Sequence, residues 1–138
     1  MKMWKVTKSL KFDYAHRLYG YEGKCAMVHG HTGCVEVTIA SSVLDKDGFV
    51  VDFGVLKSYI NDFVDTNWDH HCLVNELDTE LRSLPGVVML QLNPTAERLA
   101  EILYGYLCDC FRKTHPSLTV ECVRFYETPD SWVVYSEK

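Results

Sequence analysis

The chain has 138 residues, 47% hydrophobic and 24% charged, with a formal net charge of -5, the balance of one globular domain spanning 1–138. Such an acidic chain is not built as a nucleic-acid binder, whose domains are usually basic, although a local basic pocket for a small anionic substrate stays compatible with it. No charged-then-apolar leader opens the chain and no apolar run is long enough to span a bilayer, so the expectation is a cytoplasmic protein without membrane partners, whose six cysteines are free thiols, mostly small buried residues, rather than a disulfide framework.

Lys5 to Leu18 alternates, with Leu10, Phe12 and Tyr14 on one side and Lys11, Asp13 and Arg17 on the other. A period of two predicts a strand with one buried face, and His16 falls in phase with its apolar side. After the turn-like stretch Gly20 to Lys24, a second strand is predicted from about Val28 to Val43. Its odd positions are His29, His31, Gly33, Val35, Val37 and Ile39, so these two histidines also share the phase of the buried face. Asp45-Lys46-Asp47-Gly48 is a turn signal. Asp52 is placed to cap a helix from Phe53 to about Thr66, in which Phe53, Leu56, Ile60, Phe63 and Val64 recur at helical spacing.

Asn67 to Asn75 has no clear period and reads as a loop. Asp78 to Leu84 is read as a short helix closed by Pro85-Gly86, and Val87 to Leu92 as extended. Asn93 caps and Pro94 starts a second long helix, with Leu99, Ile102, Leu103, Tyr106, Cys110 and Phe111 as its buried stripe. Leu118 to Tyr135 reads as two strands around a turn at Pro129-Asp130-Ser131, with a bulge because Leu118, Val120 and Cys122 favour one phase and Val123 and Phe125 the other. The sum is an α+β domain, an antiparallel sheet with two helices on one face. Its open edges need cover, and edge-to-edge oligomerisation is one way to supply it.

The chemistry gathers at Cys25-Ala26-Met27-Val28-His29-Gly30-His31. Histidines at i and i+2 on a strand project from one face about 6–7 Å apart, and His16 joins them if the two strands pair antiparallel. Three imidazoles with a fourth position open form the catalytic zinc pattern. Cys25, in a Gly-Lys-Cys loop, is either a fourth ligand closing a structural site or a free thiol acting as nucleophile or general base. Asp69 precedes His70 and can orient it as an acid–base group, with His71 an equal candidate. Glu127 stands among apolar neighbours and needs a partner. That partner is either an arginine or a ligand offering adjacent ring N–H and amino donors.

In this order, Phe12-Asp13-Tyr14-Ala15-His16-Arg17-Leu18, Cys25, His29-Gly30-His31, Asp69-His70, Pro94-Thr95-Ala96-Glu97 and Glu127-Thr128 resemble the 6-pyruvoyl-tetrahydropterin synthase / 6-carboxy-tetrahydropterin synthase family from about Phe12 to Tyr135. The resemblance implies the tunnelling (T-) fold, in which four-stranded antiparallel subunits with two helices on one face assemble into a barrel, as trimers or stacked hexamers with active sites between subunits. It implies Zn2+ on His16, His29 and His31, and Cys25, Asp69 and His70 as acid–base machinery. Glu127 would anchor the pterin ring, and Pro94 and Thr95 would line the pocket, largely through backbone.

Three residues separate Cys25 from His29, which is similar to the 6-carboxy-tetrahydropterin branch of queuosine and 7-deazapurine biosynthesis. That branch converts the small-molecule substrate 7,8-dihydroneopterin triphosphate to 6-carboxytetrahydropterin, acetaldehyde and triphosphate. Arg17 and Lys24 are the cations nearest in sequence for the triphosphate. The alternatives are the sister reaction that eliminates triphosphate to give 6-pyruvoyl-tetrahydropterin, a non-catalytic zinc-stabilised pterin-binding module with Cys25 on the metal, and a zinc hydrolase.

Overall fold

The computed structural model describes residues 2–138. Its two longest strands, β1 (Trp4–His16) and β2 (His29–Ser41), pair antiparallel without a break from Trp4 opposite Ser41 to His16 opposite His29. The alternation read in the sequence is realised: Phe12, Tyr14, Val35, Val37 and Ile39 are buried, whereas Lys11, Asp13 and Thr32 between them are exposed. β5 (Thr119–Thr128) pairs with β2, and β6 (Ser131–Tyr135) with β5, both antiparallel. The expected bulge is present. Thr38 faces Cys122 and Ile39 faces Val120, which leaves Glu121 as the extra residue. The phase change lets Val120 and Val123 both turn into the core.

The sheet is larger than the four antiparallel strands expected. β3 (Cys72–Asn75) and β4 (Val87–Leu90) extend it in parallel, giving the order β4-β3-β1-β2-β5-β6. Asn67 to Asn75 is therefore loop only in its first half. Leu73, Val74 and Asn75 are buried in succession. A strand covered on both faces carries no alternation, and four residues are too few to show a period. Asp78 to Leu84 forms only a 3-10 turn at Thr79–Leu81.

Helix α1 (Phe53–Asn67) starts at Asp52, whose carboxylate accepts from Gly54 N at 2.6 Å. α2 (Ala96–Thr114) is capped by Thr95, which accepts from Arg98 N at 3.2 Å, and not by Asn93. Its buried stripe is Ala96, Leu99, Ala100, Leu103, Tyr104, Leu107 and Phe111, rotated from the expected one so that Ile102 is left 38% exposed. Picking out large side chains overlooked the alanines, which permit close approach to the sheet. Both helices cover the face bearing Phe12, Val35 and Phe125. At its centre Trp68, 1% exposed, lies 5.7 Å from Phe12 and 5.8 Å from Phe125. The other face carries Lys11, Asp13 and Thr32, and on edge strand β6 Trp132 and Val134 are about half exposed. All six cysteines are free and half-buried, rather than fully buried. Among the described residues no helix is long and apolar enough to cross a membrane.

Gly33 is buried on β2 next to β1 because no side chain fits there. A Cβ would lie 2.9 Å from Tyr14 Cε1 and 3.3 Å from the Tyr126 carbonyl oxygen. Gly33→Ala is expected to destabilise the domain by about 1–3 kcal/mol through overpacking, measured by urea denaturation. An unchanged midpoint would show that the Tyr14 ring yields freely.

Candidate metal and acid–base site

Antiparallel pairing brings the three predicted histidines together where β1 ends and β2 begins. Their ring centroids lie 4.6 to 5.1 Å apart. His16 Nδ1 is 2.8 Å from the Pro94 carbonyl oxygen, and His29 Nδ1 is 2.7 Å from that of Met27. A carbonyl only accepts, so both Nδ1 atoms carry the proton and both Nε2 atoms present lone pairs, a tautomer inferred from the partners. These Nε2 atoms face each other at 3.0 Å. Two neutral acceptors make no hydrogen bond, and lone pairs converging so closely are what a cation between them requires. His31 Nε2 is the third. It lies 3.0 Å from Glu127 Oε1, at an angle that makes no hydrogen bond, and is buried without a partner. Burial holds His16 and His31 below the usual histidine range, which keeps them neutral, as metal ligation demands.

The ligand atoms of His16, His29, His31 and Glu127 all lie within 4.8 Å of one another. The donor set therefore fits a metal ion, with oxygen from Glu127 at its edge. Cys25 is in no such group among the described residues, which speaks against the closed structural site with the thiol as fourth ligand. Among the described residues Glu127 pairs with no arginine; its neighbour is His31.

Cys25 sits in a 3-10 turn, Lys24–Ala26, within the loop joining β1 to β2. The Leu18 amide donates to the Cys25 carbonyl at 2.8 Å. One residue on, Asn93 grips the main chain of Tyr19 from both sides. Its Oδ1 accepts from Tyr19 N and its Nδ2 donates to Tyr19 O, each at 2.9 Å. Buried Asn75 donates to the same Oδ1 at 3.1 Å. Asn93, read from sequence as a helix cap, instead ties the Cys25 loop to the segment whose next residue, Pro94, orients His16. Only its place beside Pro94-Thr95 hinted at this. Thr95 spends its hydroxyl on capping α2. Asn93→Ala is expected to raise the alkylation rate of Cys25 several-fold, read by peptide mass spectrometry, with the melting temperature within a few degrees of the parent. An unchanged rate would show that the loop holds without the clamp.

Asp69 and His70 are paired, with His70 Nδ1 3.0 Å from Asp69 Oδ1. The same oxygen accepts from Asp13 N at 3.1 Å, and His70 N donates to Asp13 O at 2.7 Å. His70 has φ 61, the one non-glycine residue among those described in the left-handed region. That conformation is uncommon and here carries the imidazole to the carboxylate, leaving it mostly exposed. His71 Nδ1 bonds only the Asp69 carbonyl, at 2.8 Å, so of the two histidines His70 holds the carboxylate. Asp13 joins them, its Oδ1 accepting from Thr32 at 2.5 Å; its sequence position marks only the polar side of β1. A cleft of about 510 Å³ opens here, lined by Asp13, Ala15, Thr32, His70, His71 and Cys72, with Tyr14, Gly30 and His31 also on its wall. Asp13 and Thr32 are out of phase with His16 and His31, so their side chains project from the sheet face opposite to the three imidazoles. Of the two cations nearest Cys25 in sequence, Arg17 is held by Asp78 and Lys24 is exposed.

The chain matches the family model described as 6-pyruvoyl tetrahydropterin synthase over residues 5–138. It is 37% identical over 139 residues to a 6-carboxy-5,6,7,8-tetrahydropterin synthase of Rickettsia bellii, covering 95% of this chain and 99% of that protein. To the 6-carboxy-5,6,7,8-tetrahydropterin synthase of Bacillus subtilis it is 33% identical over 136 residues, covering 98% and 86%. In fold it is similar to the 6-pyruvoyl tetrahydropterin synthase of Caenorhabditis elegans, with TM-score 0.77 and 23% identity over 100% of this chain and 98% of that one.

Proposed function

The chain belongs to the 6-pyruvoyl tetrahydropterin synthase family, and we propose that it is a zinc-dependent 6-carboxy-5,6,7,8-tetrahydropterin synthase of queuosine and 7-deazapurine biosynthesis. Its substrate is 7,8-dihydroneopterin triphosphate, which it cleaves as a lyase to 6-carboxytetrahydropterin, acetaldehyde and triphosphate. The observation that carries this reading is the convergence of three imidazole nitrogens beside one carboxylate, with a thiol turn on the loop that joins the two histidine-bearing strands. The Cys25 to His29 spacing and the names of the relatives at 31–37% identity support the carboxy branch.

His16, His29 and His31 would hold Zn2+, which when bound would supply Lewis-acid polarisation of the substrate's side-chain hydroxyls. Glu127 accepts from the ring N–H and amino groups of the pterin, a charge-assisted pair of hydrogen bonds. Pro94 fixes the His16 ring through its carbonyl, as an outer partner of a metal histidine does. Cys25 moves a proton at the substrate side chain, and His70, oriented by Asp69, moves the second.

Asp69 and His70 group with Asp13 and not with the three imidazoles of their own chain, which favours a complete set formed where two copies meet. That supports a homo-oligomer, a trimer or hexamer closing the sheets into a barrel. The uncovered sheet face and the exposed Trp132 and Val134 on edge strand β6 support the same assembly.

The test is a mass-spectrometric assay of zinc-loaded protein with 7,8-dihydroneopterin triphosphate, following pterin products and acetaldehyde together. Carboxytetrahydropterin with acetaldehyde is expected. A pyruvoyl product without acetaldehyde would move the protein to the sister reaction, and no turnover by a metal-loaded oligomer would leave a pterin-binding module.

A further inference from the structure

Among the described residues, two buried side-chain polar atoms find no hydrogen-bond partner, His31 Nε2 and the Tyr14 hydroxyl oxygen. They belong to one place. Tyr14 is 3% exposed, and its ring packs edge-on to His16 at 5.2 Å and tilted to His31 at 5.6 Å. Its direction follows from Gly33. The ring crosses β2 over that glycine, where a Cβ would come within 2.9 Å of Cε1, and meets the edge of Phe125 on β5 at 5.8 Å. Glu127, the extra residue where the register with β6 shifts, lies on this same side, beside His31. The phenol thus runs from β1 across the gap at Gly33 toward the corner of the site that Glu127 occupies.

A buried hydroxyl with no partner is costly, and each such exception in a native structure asks for a cause. A phenol at neutral pH is a donor as well as an acceptor. Glu127, ionised, only accepts. The corner therefore offers a carboxylate for two donors and, beside it, one unused O–H donor. A heterocycle carrying an amino group, a ring N–H and a carbonyl in a row presents donor, donor, acceptor along one edge. The carboxylate answers the first two and leaves the carbonyl to be met.

We propose that Tyr14 donates its hydroxyl hydrogen to the ring carbonyl of the bound pterin, so that Tyr14 and Glu127 together select a 2-amino-4-oxo heterocycle. This rests on the pterin reading of the site and adds a specificity-determining residue to it. Gly33 is then part of the recognition, since any larger residue would push the phenol out of line.

The experiment measures binding of neopterin and of its 4-thio counterpart to the metal-loaded protein by equilibrium dialysis. The counterpart keeps the ring N–H and weakens the acceptor. Wild type, Tyr14→Phe and Glu127→Gln are compared, with melting temperatures alongside. Tyr14→Phe is expected to weaken neopterin roughly tenfold, to change the thio compound less than twofold, and to melt no lower than wild type, because it removes an unpartnered group. Glu127→Gln should weaken both ligands. Equal losses for both ligands in Tyr14→Phe, or no loss for either, would overturn the role of Tyr14 while leaving the pterin reading intact. A metal-loaded wild type that binds neither ligand would overturn the pterin reading, and this inference with it.

Discussion

Cys25→Ala is expected to lower turnover of dihydroneopterin triphosphate about a thousandfold while leaving metal content at the wild-type level. The size is that of losing a positioned proton-transfer group, typically 10²–10⁴ in rate. The retention of metal follows from the geometry. The thiol lies on the turn Lys24–Ala26, outside the group formed by His16, His29, His31 and Glu127. Product formation and metal stoichiometry measured on the same preparation separate the roles. Full activity would remove the thiol from the chemistry, and loss of metal would place it in the coordination shell.

Arg17→Met is expected to destabilise the protein by about 3 kcal/mol at neutral pH, because removing one partner of a buried ion pair strands the other. Asp78 is 2% exposed, and both its oxygens are taken by Arg17, one by Nε at 2.5 Å and the other by the terminal guanidinium nitrogen. The guanidinium holds the Asp78 carboxyl below its usual range. A depressed carboxylate contributes stability that is fully present above its unfolded value, near pH 4, and is lost as pH falls through its folded value. In the variant the cation is gone, and burial, which favours the protonated acid, is opposed only by the smaller pull of the Glu80 backbone hydrogen bond. The stability gap between wild type and Arg17→Met should therefore be widest at pH 7 and narrow toward pH 4. Urea denaturation with chelator present keeps metal release out of the comparison. A gap independent of pH would trace the loss to packing around the arginine stem instead of to the stranded charge.

Much of this was legible from residue order because the decisive pattern is local. Period-two alternation in β1 and β2 placed Phe12, Tyr14, His16, His29 and His31 on one face, and antiparallel pairing did the rest. The bulge near Glu121 announced itself as a phase conflict. What escaped was set by distant partners. β3 is buried on both sides and so has no period, and it pairs with β1 and β4, which are remote in sequence. Asn93 has the composition of a helix cap, but its amide is claimed by Tyr19 and Asn75. The choice of His70 over His71 depends on one positive φ. That Asp69 and His70 group with Asp13 and not with the imidazoles depends on contacts between residues remote in sequence.

The pairing of His16 with His29 has a consequence for how such a protein diversifies. Main-chain bonds of the two strands seal the base of the loop Arg17–Val28, so the stretch between Tyr19 and Met27 can change in length and content while the Tyr19 grip and the Met27 carbonyl that orients His29 stay in place. The thiol rides on that loop and the three imidazoles do not. On the proposed reading, insertions or deletions around the thiol would alter which proton is moved and leave the imidazole cluster and Glu127 in place, making the loop an exchangeable cassette through which one scaffold can acquire different reactions.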